Sequence, residues 1–236
     1  MKEITQIRPL SLWIFLVPFF AINTCLLISV NFTLFEGTFF NVDQIGRSRF
    51  TIPYIDGSLS ISRASRTFPQ YLIFKPAMII TGTLLYFYWH KCNVLINYFR
   101  DTRFKKNAFM IFGIMSAFFL MAHSVLLGLE SDIKIFKFLK RVFLIGFIIS
   151  EIIAQCLLVA IFYRLKIKIK NYYNSSILKL KILLVSLSAC VGVISIPILI
   201  FTNNVHFKHG LEWNFFIAII LFYLLNNFFW NSRNKP

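Results

Sequence analysis

Acidic residues are scarce in this chain: nine Asp and Glu stand against twenty-five Lys and Arg over 236 residues, a formal net charge of +16. Charged residues of both signs together make up only 14%, where a soluble domain carries about 25%. Hydrophobic residues reach 58%, and a water-soluble protein of 27.7 kDa has too little interior to hide them. An ordinary soluble fold is therefore excluded. Cysteine is sparse and scattered. Cys25, Cys92, Cys156 and Cys190 lie far apart with no CxxC, which excludes a disulfide framework, a structural zinc site and dithiol redox chemistry. Also missing are a nucleotide-binding P-loop, a G-x-S-x-G nucleophile elbow, a paired-Asp motif for a metal and a lipid pyrophosphate, and the H-x-x-x-H of membrane hydrolases. No cofactor is expected.

What the chain does have is long apolar runs and twenty-nine phenylalanines, with a mean hydropathy of +0.71. Bilayer lipid is the solvent that accepts such a chain. A membrane-spanning helix takes about 20 apolar residues, and six runs qualify: 11–32, 71–90, 108–128, 142–163, 182–202 and 212–230. The expected fold is an all-α integral membrane protein. It is one six-span domain over residues 1–236, with no internal repeat and no linker. The first run follows Lys2 and Arg8 as a signal peptide would. It is too long for an h-region and no A-x-A site closes it, so it reads as an uncleaved span.

The basic residues fall in short clusters between the spans, the pattern of membrane orientation rather than of nucleic-acid binding. With the N-terminus inside, the inner segments carry fifteen Lys and Arg and the outer ones nine, Lys75 lying within a span. Both termini are thus expected in the cytoplasm, with the four basic residues at 129–141 running against the trend. The inner stretch Arg164, Lys166, Lys168 and Lys170 alternates with Leu165, Ile167 and Ile169 and is expected to rest on anionic lipid. The expected partners are membrane lipids, with no nucleic acid, and no particular protein partner is indicated.

One connection is long. Residues 33–69 form an outer loop with room for structure of its own. Its stretch Thr51 to Ser62 carries an Asp56-Gly57 turn signal followed by polar and apolar alternation, the pattern of a small β-hairpin over the bundle. Pro53 weakens its first arm.

An ionisable group inside a membrane is costly and is retained for a reason. Lys75 lies about one turn into span two, His123 near the outer end of span three, and Glu212 at the outer start of span six. Glu151 sits nine residues into span four, about 14 Å deep at about 1.5 Å per residue. Gln155 shares its helical face at i+4. The functional reading makes His123 and Glu151 catalytic or proton-carrying groups. The structural reading makes Glu151 helix–helix glue, protonated or paired with His123 or Lys75, His123 a hydrogen-bonded core histidine, and Lys75 a snorkelling side chain. His206, His209 and Glu212 form an H-x-x-H-x-x-E cluster, a weak metal candidate interrupted by Gly210 and outweighed by a solvated loop. Ser188, Gly192 and Ser195 read as a close helix contact on span five, and Pro197 as a kink.

The stretches Ile52-Pro53-Tyr54-Ile55-Asp56-Gly57-Ser58 and Phe68-Pro69-Gln70-Tyr71-Leu72-Ile73-Phe74, the span ending Tyr86-Phe87-Tyr88-Trp89, and the pair Glu212-Trp213 opening the last span together resemble a six-span family. It includes the DRAM autophagy modulators, the Frag-type Golgi factor that remodels lipids on GPI-anchored proteins, and the N-terminal domain of fungal Cwh-type proteins. Topology and length match loosely over the whole chain. This chain has Asp56-Gly57-Ser58 where many members have Ser-Asp, and Gln70 where some branches have Glu. The resemblance implies lipid remodelling, lipid sensing or membrane trafficking, and it supplies no catalytic motif.

The expected function is lipid handling through a polar pocket near the outer face. Asp56, Lys75, His123 and Glu212 frame a head-group site there, Arg63 and Arg66 hold a phosphate, and Glu151 with Gln155 lies below. This reading calls for a laterally open groove near Lys75 and His123. The rivals are a non-enzymatic scaffold, with Glu151 packed and no cavity beside it, and a small-solute transporter, with a midplane cavity and broken helices.

Overall fold

The computed structural model describes residues 2–99, 107–128, 134–202 and 204–230. They form eight α-helices and, among the described residues, no strand. Six helices are long and apolar enough to cross a bilayer: α1 (Lys2–Val30), α4 (Gln70–Phe99), α5 (Ala108–Leu126), α6 (Lys134–Leu165), α7 (Ser175–Phe201) and α8 (Val205–Phe229). The chain is a multi-pass integral membrane protein. Several helices outrun their apolar cores by one or two turns of polar sequence. At about 1.5 Å per residue, a 30-residue helix such as α4 spans about 45 Å against a hydrocarbon core of about 30 Å.

Prolines sit inside three of these helices: Pro9 and Pro18 in α1, Pro76 in α4 and Pro197 in α7. Neighbouring helices can shelter the freed carbonyls in a membrane bundle. The polar turns between spans supply the caps. Asn174 accepts from the Ser176 N–H at the start of α7, and Asn204 from the Phe207 N–H at the start of α8. Each satisfies an amide that the first turn leaves free.

Successive neighbours close a ring in the order α1, α4, α5, α6, α7, α8 and back to α1. Within it α4 and α5 are set tightly together. A side chain on Gly113 would collide with the Trp89 ring, and one on Gly82 would meet Met121 and, at 3.1 Å, the Ala117 carbonyl. Small residues here let two backbones approach, the usual means of association where lipid supplies no hydrophobic drive. Gly192, expected at such a contact, meets only the tip of Phe215 at 3.7 Å. Ser188 and Ser195 turn their hydroxyls back to carbonyls of α7 itself.

Residues 31–69 do not form the expected hairpin. Pro53 opens a single helical turn, α2 (Pro53–Asp56), at the position where its missing N–H costs nothing. Gly57 ends that turn in the left-handed region at φ 59°. Ser60 then caps α3 (Ile61–Ser65) by accepting from the Arg63 N–H. The Asp56-Gly57 signal is therefore a helix stop, and the alternation that follows is the short stretch leading into a second helix. The segment is tied down by Trp213, whose Nε1 donates to the Leu59 carbonyl at 2.7 Å. Tyr54 adds a second tie through its hydroxyl to Asn23 of α1 at 3.0 Å.

Candidate functional site

Two features stand out inside the ring: a polar knot on α6 and an apolar cavity beside it. Glu151 is fully buried. Its carboxyl accepts from the Ser116 hydroxyl of α5, from Gln155 Nε2 one turn along α6 at 3.1 Å, and from the Tyr223 hydroxyl of α8. Gln155 Nε2 also reaches the Ile219 carbonyl of α8 at 3.3 Å. The Trp89 indole N–H lies beside the carboxyl but forms no hydrogen bond among the described residues. Three helices are thus joined at one acidic side chain. The periodicity expected Glu151 and Gln155 to face inward together, and they do. The partners differ from those considered, since neither His123 nor Lys75 touches the carboxyl.

The cavity runs along the inside of α1, α3, α4, α5, α6 and α8 and is narrow, with about 60 Å³ open to the centre of a water-sized sphere. Its wall is almost wholly apolar, from Ile14 and Met78 to Phe147 and Phe216. The polar exceptions group by depth. Ser62, His123 and Glu212 belong to the end that carries residues 31–69. Thr81 lies further down, and Tyr223, the donor to Glu151, forms part of the floor. The Glu212 carboxyl rests against the Ser62 backbone. His123 is buried, and its Nδ1 is 3.0 Å from the Lys140 carbonyl of α6.

The other candidates lie outside the cavity wall. Arg63 and Arg66 are exposed. Arg66 reaches the end of α5, where its carbonyl lies 2.8 Å from the place a side chain on Gly128 would occupy. Lys75 is half-buried, with Nζ 5.6 Å from the Tyr71 ring centre. Asp56 closes its own turn: its exposed carboxylate accepts from the Ser58 and Ile52 N–H groups and from the Thr51 and Ser58 hydroxyls. The Ser58 N–H above all holds its pKa down to about 2. His209 Nδ1 is 3.1 Å from the Gly57 carbonyl and His206 is exposed. No group of three metal-ligating side chains occurs among the described residues. The basic strip Arg164, Lys166, Lys168 and Lys170 is exposed. Arg100, Arg103, Lys105, Lys106, Arg233 and Lys235, counted for orientation, lie outside the described residues.

Sequence reasoning passed over Lys181. It was counted with the inner loop because the apolar run was started at 182. The helix begins at Ser175, and Lys181 is fully buried on it. The signal was present: Leu178, Lys181 and Val185 are the buried stripe of α7 at i, i+3, i+7. Tyr223 is likewise hidden among aromatics that lipid alone would explain.

No protein-family model, no curated protein and no solved structure matches this chain.

Proposed function

We propose that this protein handles lipid by holding one hydrocarbon chain in the cavity between α1, α4, α5, α6 and α8. The head group then lies at the Ser62, His123 and Glu212 end. The observation that carries this reading is the asymmetry of the cavity: a long apolar wall with its accessible polar groups gathered at one end, the shape of an amphiphile. The open side fits as well. The weakest joints of the ring are the two that α7 makes, with α6 and with α8, so a lateral gap belongs there. No α7 residue lines the cavity. A lipid enters sideways through such a gap without crossing water.

The resemblance to the DRAM, Frag and Cwh group points to the same class of work. In this structure the residues that carry it are mainly structural. Pro53, Gly57 and Trp213 hold residues 31–69 to α8. Gln70 is buried, and its carbonyl accepts from the Cys25 thiol at 3.4 Å. Glu212 and Phe74 among them face the cavity. Glu151 serves as a lock between α5, α6 and α8. The basic excess favours a cytoplasmic start of α7, with the exposed Arg164, Lys166, Lys168 and Lys170 suited to anionic lipid.

The test is native mass spectrometry of the purified protein, with photolabelling by a diazirine-bearing lipid. Wild type should carry one lipid and label on cavity residues such as Phe147 or Phe216. Thr81→Phe, which fills the middle of the cavity, should abolish both while leaving the protein folded. A lipid-free wild type that labels only on its outer surface sinks the proposal.

A further inference from the structure

A second buried polar centre lies between the cavity floor and the opposite end of the bundle. Lys181 Nζ donates to Asn226 Oδ1 of α8 at 2.8 Å. It sits over three rings, Phe222 at 4.1 Å, Phe229 at 5.0 Å and Phe162 at 5.4 Å. An aromatic cage of this kind steadies an ammonium, and no ion pair to Lys181 occurs among the described residues.

The gap between Lys181 and Glu151 is bridged by titratable groups. Cys92 of α4 lies within electrostatic range of Lys181. Tyr88, one turn earlier on α4, lies beside the Cys92 thiol and packs edge-on against the Tyr223 ring at 4.9 Å. Tyr223 then donates to Glu151. Glu151, Tyr223, Tyr88, Lys181 and Asn226 are all 0% exposed and Cys92 is 1% exposed. A carboxyl, two phenols, a thiol and an amine thus form one column through an apolar bundle, contributed by α4, α6, α7 and α8. From α5 the column receives only the Ser116 hydroxyl. From α1, Arg8 Nε donates to the Asn227 carbonyl at 3.2 Å, and Glu3 pairs at 3.3 Å with Lys91, which precedes Cys92 on α4.

The column also holds unspent hydrogen-bonding groups. The Tyr88 hydroxyl, the Trp89 indole N–H and the Asn226 amide nitrogen are buried without a partner among the described residues. Buried groups in this condition are ordinarily satisfied by internal water, which carries protons between side chains. Each ionisable group inside a membrane is expensive, and five of them in one column are more than the fastening of helices requires.

We propose that this column is a proton path from Tyr223 on the cavity floor to Lys181 and Asn226 near the start of α7. Glu151 and Lys181 are its two proton-holding stations and Tyr223 is the relay. In one passage an N–H bond of the Lys181 ammonium breaks and its proton moves through the Tyr88 hydroxyl and internal water to the Tyr223 oxygen. Tyr223 passes its own O–H proton to a Glu151 carboxylate oxygen. The ammonium becomes an amine and the carboxylate a carboxylic acid, with the total charge unchanged. Glu151 then returns a proton to the Tyr223 oxygen as Tyr223 gives up its O–H proton to the cavity, and Lys181 reloads from the other side. The reverse order carries protons the other way, and no oxidant or reductant takes part.

The test reconstitutes the full chain in liposomes holding an internal pH-sensitive dye, with a potassium gradient and valinomycin drawing protons inward. Wild type should acidify the lumen faster than protein-free liposomes. Glu151→Gln, Lys181→Met and Tyr223→Phe should each return the rate to the protein-free level. Ser195→Ala, a buried polar position on α7 outside the column, should keep the wild-type rate. Tyr223→Phe removes a single hydroxyl and keeps the ring, so it decides the matter if either charge variant fails to fold. A wild-type rate equal to that of empty liposomes overturns the proposal, and so does an undiminished rate in folded Tyr223→Phe.

Discussion

Replacing Glu151 tests whether one carboxyl holds α5, α6 and α8 together. Glu151→Ala removes the acceptor shared by three donors. Ser116 keeps a second partner in the Gly113 carbonyl at 2.8 Å, and Gln155 keeps the Ile219 carbonyl at 3.3 Å. The Tyr223 hydroxyl keeps none among the described residues. One orphaned buried donor costs about 1–3 kcal/mol. The void left by the side chain adds about 1 kcal/mol, taken at about 24 cal/mol per Å³. The sum is about 2–4 kcal/mol, a fall in Tm on the order of 10 °C for a chain of this size. Tyr223→Phe removes the donor, keeps the ring packing and costs about 1 kcal/mol. The double variant has no orphan, so its loss should fall short of the sum of the single losses by about 1–3 kcal/mol. Thermal unfolding in detergent can be followed with a thiol-reactive fluorophore. Cys25 and Cys92 are buried and report unfolding, once the more accessible Cys156 and Cys190 are changed to alanine. A Glu151→Ala protein that melts with wild type, or strictly additive losses in the double variant, refutes the lock.

Three further outcomes concern residues 31–69. Trp213→Phe leaves the Leu59 carbonyl without its indole donor, a loss of about 1–3 kcal/mol, and should speed tryptic cleavage at Arg47 and Arg49. Gly57→Ala should do the same. It forces a side chain into the left-handed region at φ 59°, at a cost of about 1–2 kcal/mol, and drives its Cβ into the His206 carbonyl. Asp56 sets the acid limit of the turn. Its carboxyl pKa is lowered to about 2 by the Ser58 N–H above all, so its contribution is complete above an unfolded value of about 4. It is lost as pH falls through 2. The carbon-13 shift of a labelled Asp56 carboxyl should show its midpoint there, and a midpoint near 4 removes the hydrogen-bonded turn from solution.

The spans were legible because lipid imposes a length and a polarity that few other environments share, and all six predicted runs lie within helices apart from a few terminal residues. Their ends were not, for the same reason. Hydropathy marks where lipid begins, whereas a helix continues into polar sequence until a cap such as Asn174 ends it. Lys181 shows the cost of that difference: seven residues of polar-looking helix moved a buried ammonium into a loop on paper. Glu151 was legible because a carboxylate in an apolar run must find partners inside the bundle, and Gln155 followed from helical spacing. Tyr223 was not, since a tyrosine among phenylalanines gives no sign of where its hydroxyl points. The Asp56-Gly57 pair was read as a hairpin turn because the same left-handed glycine serves both structures. Only Ser60, placed to cap a following helix, distinguishes them locally.

The loose joint of the ring explains why the cavity and the column can coexist in so small a bundle. Helix α7 buries few side chains, and its far half, from Val193 to Phe201, is largely exposed while contributing nothing to the cavity wall. What fastens it is the near half, where Leu178, Lys181 and Val185 meet α6 and α8. In lipid there is no hydrophobic force to press the rest of α7 home. A hydrogen bond and a set of ring contacts at one end therefore fasten the helix, while its other end rests on few buried side chains. The ammonium that anchors α7 is also one station of the proposed proton path. Loss of its proton weakens both the cation–ring attraction and the charge-assisted bond to Asn226. The hold of α7 on α8 would then depend on the protonation of the same side chain that the proposed path uses.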